Sequence, residues 1–144
     1  MKRIQVIVLL VFIQFGLMAQ NWNSNFEKSK ETAQKENKKI VLVFSGSDWC
    51  SWCIKLENEI LEKKEFLDYA KDNFVLLKAD FPRKKKNKLS PKQHKHNIAL
   101  LEKYNPNGYF PIVVVINSKG KELGRTGYKK MLPKEYAKLL DTYK

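Results

Sequence analysis

The chain alternates between short apolar runs and segments whose apolar residues recur at helical spacing. Two runs, KIVLVFS (39–45) and FVLLKADF (74–81), are apolar over most of their length and have polar flanks, a pattern typical of buried strands. A third apolar region, residues 109–128, is divided by turn-forming residues at Ser118–Gly120. This region predicts two strands joined as a hairpin.

Helical spacing covers much of the remaining chain. Residues 25–39 have the polarity of an exposed helix. Residues 50–73 carry apolar positions at roughly helical spacing, which allows a break within this segment. Residues 98–105 predict a short helix, and an amphipathic helix beginning near Pro133 closes the chain. The basic segment 82–97 lacks this periodicity and predicts a loop.

The predicted order of elements is helix, strand, helix, strand, helix, strand, strand, helix. Alternating elements followed by a hairpin predict an α/β fold, with a central mixed β-sheet flanked by helices on both faces. Neither an internal repeat nor a domain boundary is visible. We therefore expect one domain over residues 20–144, long enough to bury a core without disulfide support.

The first residues have the order of a secretory signal peptide. Lys2 and Arg3 precede an apolar run, 4–18, and Ala19 supplies a small residue before a polar segment. The run is shorter than the roughly 20 residues of a membrane span, and two glutamines interrupt it. We expect residues 1–19 to be a signal peptide and the protein to be exported to the periplasm or beyond. An uncleaved membrane anchor is the alternative.

The formal net charge of +13 would suit acidic partners, anionic surfaces or nucleic acid, but for an exported protein a solvated, lysine-covered surface is the favoured interpretation. Many of the basic residues lie in segment 83–96, without the interleaved aromatic residues of single-strand binding sites. We therefore expect no nucleic-acid binding. A solvated loop is the favoured interpretation of this segment, and docking of an acidic partner or an anionic membrane is the alternative.

The chain has only two cysteines, Cys50 and Cys53, within FSGSDWCSWCIKL (44–56). A strand before them and a helical pattern after them place Cys50 at a helix N-terminus, where free amides and the helix dipole stabilise a thiolate. Cys53 follows one turn later, within bridging distance. This arrangement predicts that an exposed Cys50 attacks a disulfide and that a more buried Cys53 resolves the mixed disulfide.

Other interpretations of the cysteine pair remain. A zinc site would need His94 and His96, which are separated by one residue where three to five is usual, so we expect no metal. Each histidine is better interpreted as a solvated loop residue. Inert buried thiols would oxidise in an export compartment, and a structural disulfide would close too small a loop to contribute much stability. A redox dithiol is the favoured interpretation.

Two segments resemble the thioredoxin superfamily. The strand KIVLVFS followed by DWCSWC is similar to the family's strand–WCxxC–helix unit. The segment YNPNGYFPIVVVINSKGKELGRTGY (104–128) resembles the family's approach to its cis-proline and the hairpin beyond. The resemblance covers about residues 25–144 and implies the thioredoxin fold. The GSDWCxWC pattern is most similar to small exported thioredoxin-like proteins of bacteria.

The resemblance also implies residue roles. Cys50 would be the nucleophile and Cys53 the resolving thiol, and their disulfide would be the redox group, with no further cofactor. Trp49 would flank the dithiol, and Pro111 would be the cis-proline that contacts the substrate backbone. Two departures, Trp52 and Phe110, would add an apolar rim for peptide substrates. For Trp52, core packing is an equal alternative.

A further departure concerns proton transfer. The family often has a buried acid six positions before the first cysteine, which accepts a proton from the resolving thiol. Here that position is Phe44. Asp48 is nearer in sequence, but a loop or helix-capping role is favoured for it. Lys55 would lower the pKa of Cys50 further only if it pointed toward that thiol.

The sequence thus predicts a monomeric thiol–disulfide oxidoreductase that acts on protein or peptide disulfides. A membrane or envelope redox partner would recycle its dithiol. Reductase, isomerase and oxidant activities all remain open. Ser51 and Trp52 stand where the family often has Gly-Pro, and these two positions shape the thiolate environment, so the reduction potential cannot be taken from a relative. The alternative from another class is a peptide-binding module in which Trp49, Trp52 and Phe110 hold a ligand and the thiols are incidental.

Overall fold

The structure is a computed structural model that describes residues 22–144. Four strands form one mixed sheet in the order β2-β1-β3-β4. β1 pairs in parallel with β2 and antiparallel with β3, and β3 pairs antiparallel with β4. The strands are β1 Lys39–Ser45, β2 Phe74–Asp80, β3 Ile112–Ile116 and β4 Glu122–Thr126.

Within residues 22–144, five α-helices lie against the two faces of this sheet: α1 Phe26–Glu36, α2 Ser51–Leu56, α3 Lys64–Asn73, α4 Pro91–Tyr104 and α5 Pro133–Asp141. A π-helical turn, Glu57–Leu61, follows α2 directly, and a 3₁₀ turn, Lys85–Asn87, precedes α4. The predicted helical region 50–73 therefore contains α2, the π turn and α3. The helical region is interrupted at Glu62 and Lys63. The Glu62 N–H donates to the Glu57 carbonyl at the end of the π turn, and the backbone of Lys63 is extended.

Alternate side chains of the central strands face opposite layers of helices. Ile40, Leu42 and Phe44 pack in a core with residues of α1 and α4. Val41 and Val43 pack in a second core with residues of α2, α3 and α5. Because successive strand residues point to opposite faces, an almost continuously apolar strand is buried on both. The predicted mixed sheet with helices on both faces is confirmed.

The predicted loop over 82–97 is wrong in its second half, because α4 begins at Pro91. Ser90 is the N-cap residue, and its hydroxyl accepts a hydrogen bond from the Gln93 N–H at 3.2 Å. A Ser-Pro pair at this point is a helix start signal, since proline suits the first helical position. The lysines and histidines of the first two turns obscured that signal.

His96 is consequently not a solvated loop residue. It is half-buried on α4, and its Nε2 accepts a hydrogen bond from the Phe26 N–H at 3.0 Å. The next residue, Asn97, is buried and donates to the Asp80 carbonyl at 2.9 Å. These bonds attach α4 to the start of α1 and to the end of β2. His94 is also helical, but it is exposed.

Asn23, ahead of α1, forms an isolated bridge to the outer edge of β2. Its N–H donates to the Leu76 carbonyl at 2.8 Å, and its carbonyl accepts from the Lys78 N–H at 3.0 Å. The predicted signal peptide, 1–19, lies outside the described residues, so the division of the chain at residue 20 stays a prediction. Within residues 22–144, no helix has the length and apolarity needed to cross a membrane.

Candidate redox site

Cys50 and Cys53 are joined in a disulfide at the start of α2. Cys50 is the N-cap residue of that helix, with an extended backbone, and the two Cα atoms are 5.2 Å apart. The backbone N–H of Cys53 points at the Cys50 Sγ at 3.2 Å, and the N–H of Gly46 points at the Cys53 Sγ at 3.4 Å. Each sulfur thus has an amide donor that would stabilise a thiolate after reduction.

Both cysteines are largely buried in the oxidised state. Cys50 is 8% exposed and Cys53 is 2% exposed. The greater exposure of Cys50 agrees with the expected roles, but Cys50 is less accessible than we expected for an attacking thiol. Its assignment as the nucleophile, and that of Cys53 as the resolving thiol, stay predictions.

Trp49 packs on the side of the disulfide that faces the basic segment. Its ring lies edge-on to Phe110, with centroids 5.6 Å apart, and its indole N–H donates to the Phe81 carbonyl at 2.7 Å. The guanidinium of Arg83 lies 3.7 Å from the centroid of the Trp49 ring. Gly46 lies against the same ring, where a Cβ would overlap the indole. Trp49 is therefore fixed by contacts from several directions.

Trp52 lies in the first turn of α2 and is 55% exposed. Its ring contacts that of Tyr128, with centroids 5.5 Å apart. The Lys55 ammonium lies 5.0 Å from the Trp52 ring centroid and 5.3 Å from that of Tyr128. The charge of Lys55 therefore interacts with these two rings.

An open hollow of about 430 Å³ lies beside Trp52. Phe110, Pro111, Tyr128 and Lys130 line the rest of it. The Phe110–Pro111 peptide bond is cis, as the resemblance implied. The hollow thus collects Trp52, Phe110 and Pro111, three of the predicted substrate-binding residues, and Phe110 connects it to Trp49. Tyr128 was not predicted, because no local pattern marks a loop residue that packs on a distant helix.

Asp48 organises the turn on the Trp49 side. Its carboxylate accepts hydrogen bonds from the backbone N–H groups of Arg83 and Lys84, at 2.9 and 3.0 Å, and from the Asn87 side chain at 2.9 Å. These bonds, that of Arg83 first, lower the pKa of Asp48 from 3.8 to about 2. The loop role favoured for Asp48 is confirmed. Sequence reasoning did not identify the contact of Arg83 with Trp49, since it depends on this turn.

A second pocket, of about 340 Å³, opens behind Cys53. Its lining includes Ser45, Ser47 and Asn58 and the charged residues Glu57, Glu62 and Lys78. The Glu57 carboxylate and the Lys78 ammonium form an ion pair at 2.6 Å, with about a fifth of each side chain exposed. Phe44, at the position of the family's buried acid, is fully buried in the core with α1 and α4.

The zinc interpretation gains no support from the structure. Cys50 and Cys53 form a disulfide, and His96 bonds to the Phe26 backbone. Residues 22–144 contain no group of three or more histidine, cysteine or acidic side chains that could hold a metal ion.

A mixed four-stranded sheet, a CxxC disulfide at a helix start and a cis-proline nearby together define the thioredoxin class of proteins. A family model described as a thioredoxin-like domain matches residues 26–144. The chain belongs to this thioredoxin-like domain family.

Two proteins of Chlamydia pneumoniae are similar in sequence to this chain. The chain is 37% identical to the disulfide bond reductase DsbH of Chlamydia pneumoniae over 107 residues, which are 74% of this chain and 62% of that protein. It is 24% identical to the thioredoxin-related protein DsbJ of the same organism over 106 residues, 74% of this chain and 30% of that protein. The matches thus span less than two thirds of either relative.

A solved structure described as a DsbH oxidoreductase superimposes with a TM-score of 0.78 at 32% identity. The superposition covers 85% of this chain and 83% of that one. The thioredoxin fold predicted from the sequence is therefore confirmed.

Proposed function

We propose that this protein is an exported thiol–disulfide oxidoreductase that reduces protein or peptide disulfides through Cys50 and Cys53. The observation that carries the proposal is the Cys50–Cys53 disulfide at the start of α2, with a backbone N–H directed at each sulfur. The similarity to a disulfide bond reductase supports reduction over oxidation or isomerisation.

The proposed reaction starts from the reduced dithiol. The Cys50 thiolate attacks one sulfur of a substrate disulfide, and the other substrate sulfur leaves as a thiolate. Cys53 then attacks the Cys50 sulfur, which releases the second substrate thiol and forms the Cys50–Cys53 disulfide. Two electrons pass from the protein to the substrate. Cys50 is the better candidate for the first attack because it is more exposed than Cys53.

Substrate binding is assigned to the hollow beside Trp52. An extended peptide would run along Pro111, with its apolar side chains on Trp52 and Phe110. An exposed aromatic surface of this kind suits unfolded segments that present a disulfide among apolar residues. Trp49 supports this site through its contact with Phe110 and is not itself the main binding surface.

Export is supported by the signal-peptide order of residues 1–19 and by the resemblance to small exported bacterial proteins. In an oxidising compartment, a reductase needs a source of electrons. A membrane or envelope redox partner that reduces the Cys50–Cys53 disulfide completes the proposal, and the protein itself would act as a monomer.

The test is reduction of a model peptide disulfide by the wild-type protein, Cys50→Ser and Cys53→Ser. We expect turnover by the wild type, a trapped mixed disulfide on Cys50 in Cys53→Ser, and neither activity nor trapping in Cys50→Ser. Ser24→Ala, an exposed change away from the cysteines, is the control and should retain turnover.

Two outcomes would count against the proposal. A wild-type protein that binds the peptide without reducing it would favour the binding module. A reduction potential near −120 mV against a glutathione buffer, in place of one near −270 mV, would indicate an oxidant.

A further inference from the structure

Resolution of the mixed disulfide requires Cys53 to lose a proton, because the thiolate is the nucleophile. Cys53 is 2% exposed, and burial disfavours a thiolate. The position at which the family often has a proton acceptor is the apolar Phe44, which packs away from Cys53 in the core with α1 and α4. The proton must therefore leave through another group.

The pocket behind Cys53 contains three titratable side chains besides Cys53 itself. They come from the π turn that follows α2, from the residue directly after that turn, and from β2. They are Glu57, Glu62 and Lys78. Glu57 is four residues after Cys53, a spacing that places both on the same side of a helix. Glu62 is exposed and lies beyond the π turn. Glu57 is thus the acidic group of this pocket best placed to accept a proton from Cys53.

Lys78 keeps the Glu57 carboxylate in place. Their ion pair, at 2.6 Å, joins the end of α2 to β2 across the pocket. The Lys78 ammonium also lies 4.7 Å from the centroid of the Trp22 ring. A carboxylate that lines a pocket open to water can accept a proton through one water molecule. The positive charge of Lys78 also favours the Cys53 thiolate once it forms.

We propose that Glu57 is the proton acceptor for the Cys53 thiol, and this proposal rests on the proposed oxidoreductase function. The Cys53 S–H bond breaks, and its proton passes through a water molecule to the Glu57 carboxylate, where an O–H bond forms. The Cys53 thiolate attacks the Cys50 sulfur, and the bond between that sulfur and the substrate breaks. Its electron pair leaves on the substrate sulfur as a thiolate. Glu57 then releases the proton to solvent at the mouth of the pocket.

The experiment separates attack by Cys50 from resolution by Cys53. The pre-reduced protein is mixed with a model peptide disulfide, and acid-quenched samples are assayed for the mixed disulfide and the released thiol from pH 5 to 9. In Glu57→Gln, we expect the mixed disulfide to form at the wild-type rate. Its resolution near pH 6 should slow by at least about a hundredfold, the usual size of a proton-transfer contribution. The deficit should shrink as pH rises, since hydroxide replaces the missing base.

Three further variants make the test specific. Glu62→Gln lines the same pocket and should resolve at the wild-type rate. Glu57→Asp keeps a carboxylate and should recover most of the pH profile. Lys78→Met keeps Glu57 but removes its partner, so resolution should slow less than in Glu57→Gln.

The proposal is overturned if Glu57→Gln resolves at the wild-type rate, or if it slows by the same factor at every pH, as a purely structural change would. Loss of the first step in the wild-type protein would instead refute the proposed function. The two failures are therefore distinguishable in one data set.

Discussion

Trp49 and Trp52 each directly precede a cysteine, but their surroundings differ. Trp49 lies in the loop after β1, between Phe110 and Arg83, and its indole N–H is bonded to the Phe81 carbonyl. Trp52 lies in the first turn of α2 and is 55% exposed. Identical Trp-Cys pairs three residues apart thus serve different purposes. Trp49 holds the disulfide loop, and Trp52 offers a surface beside it.

The largest expected difference between the two tryptophans is in stability. Trp49→Ala removes a packed ring and an indole hydrogen bond, so we expect the free energy of unfolding to fall by about 3 kcal/mol. Trp52→Ala removes a half-exposed ring and should cost less than about 1 kcal/mol. Urea unfolding of the oxidised proteins measures both values. Equal losses would show that Trp52 is part of the core.

A smaller effect is expected from the residue against which Trp49 packs. Gly46→Ala would place a Cβ inside the volume of the Trp49 indole, and we expect a cost of about 2 kcal/mol from the forced displacement. In a Trp49→Ala background, the same change should cost much less, because the ring is absent. Chemical unfolding of the four proteins gives this coupling energy. Additive losses would contradict the contact.

The binding role of Trp52 should appear in kinetics. For an apolar peptide disulfide, Trp52→Ala should raise KM about fivefold, which corresponds to about 1 kcal/mol of lost binding. Its rate with a small disulfide such as oxidised glutathione should stay near that of the wild type. Tyr109→Ala is the matched control, since Tyr109 is 61% exposed but does not line the hollow. A larger effect for Tyr109→Ala would relocate the peptide site.

The smallest expected effect is on the pH dependence of protein stability, through Asp48 in the turn beside Trp49. The Asp48 pKa in the folded protein is about 2, below its ordinary value of 3.8. A depressed folded-state pKa contributes stability that is present above about pH 4 and is lost as pH falls through about 2. The difference in melting temperature between wild type and Asp48→Asn should therefore shrink from pH 5 to pH 2. Asp72→Asn, an exposed change on α3, should show no such trend.

The sequence predicted those parts of the fold that depend on local patterns. β1 is a continuously apolar strand because it is buried on both faces, and it was predicted with its observed bounds. The cysteine pair was placed at a helix start because a strand precedes it and helical spacing follows it. Phe110 and Pro111 were recognised through the family resemblance, and their peptide bond is cis.

Features that depend on contacts distant in sequence were not predicted. Glu57 meets Lys78 only because β2 runs parallel to β1 and ends beside α2. Tyr128 reaches Trp52 from the loop after β4. The start of α4 was missed for a different reason, since its first turns are strongly basic and their outward faces contribute no apolar periodicity.

The Asn23 bridge has a consequence for self-association. β2 is an edge strand of the sheet, and an unpaired edge is a template on which another copy of a chain can add a strand. Asn23 occupies the Leu76 carbonyl and the Lys78 N–H on that edge. A second molecule could extend the sheet at β2 only by displacing it. A single residue ahead of α1 thus protects the β2 edge against pairing with another copy of the chain.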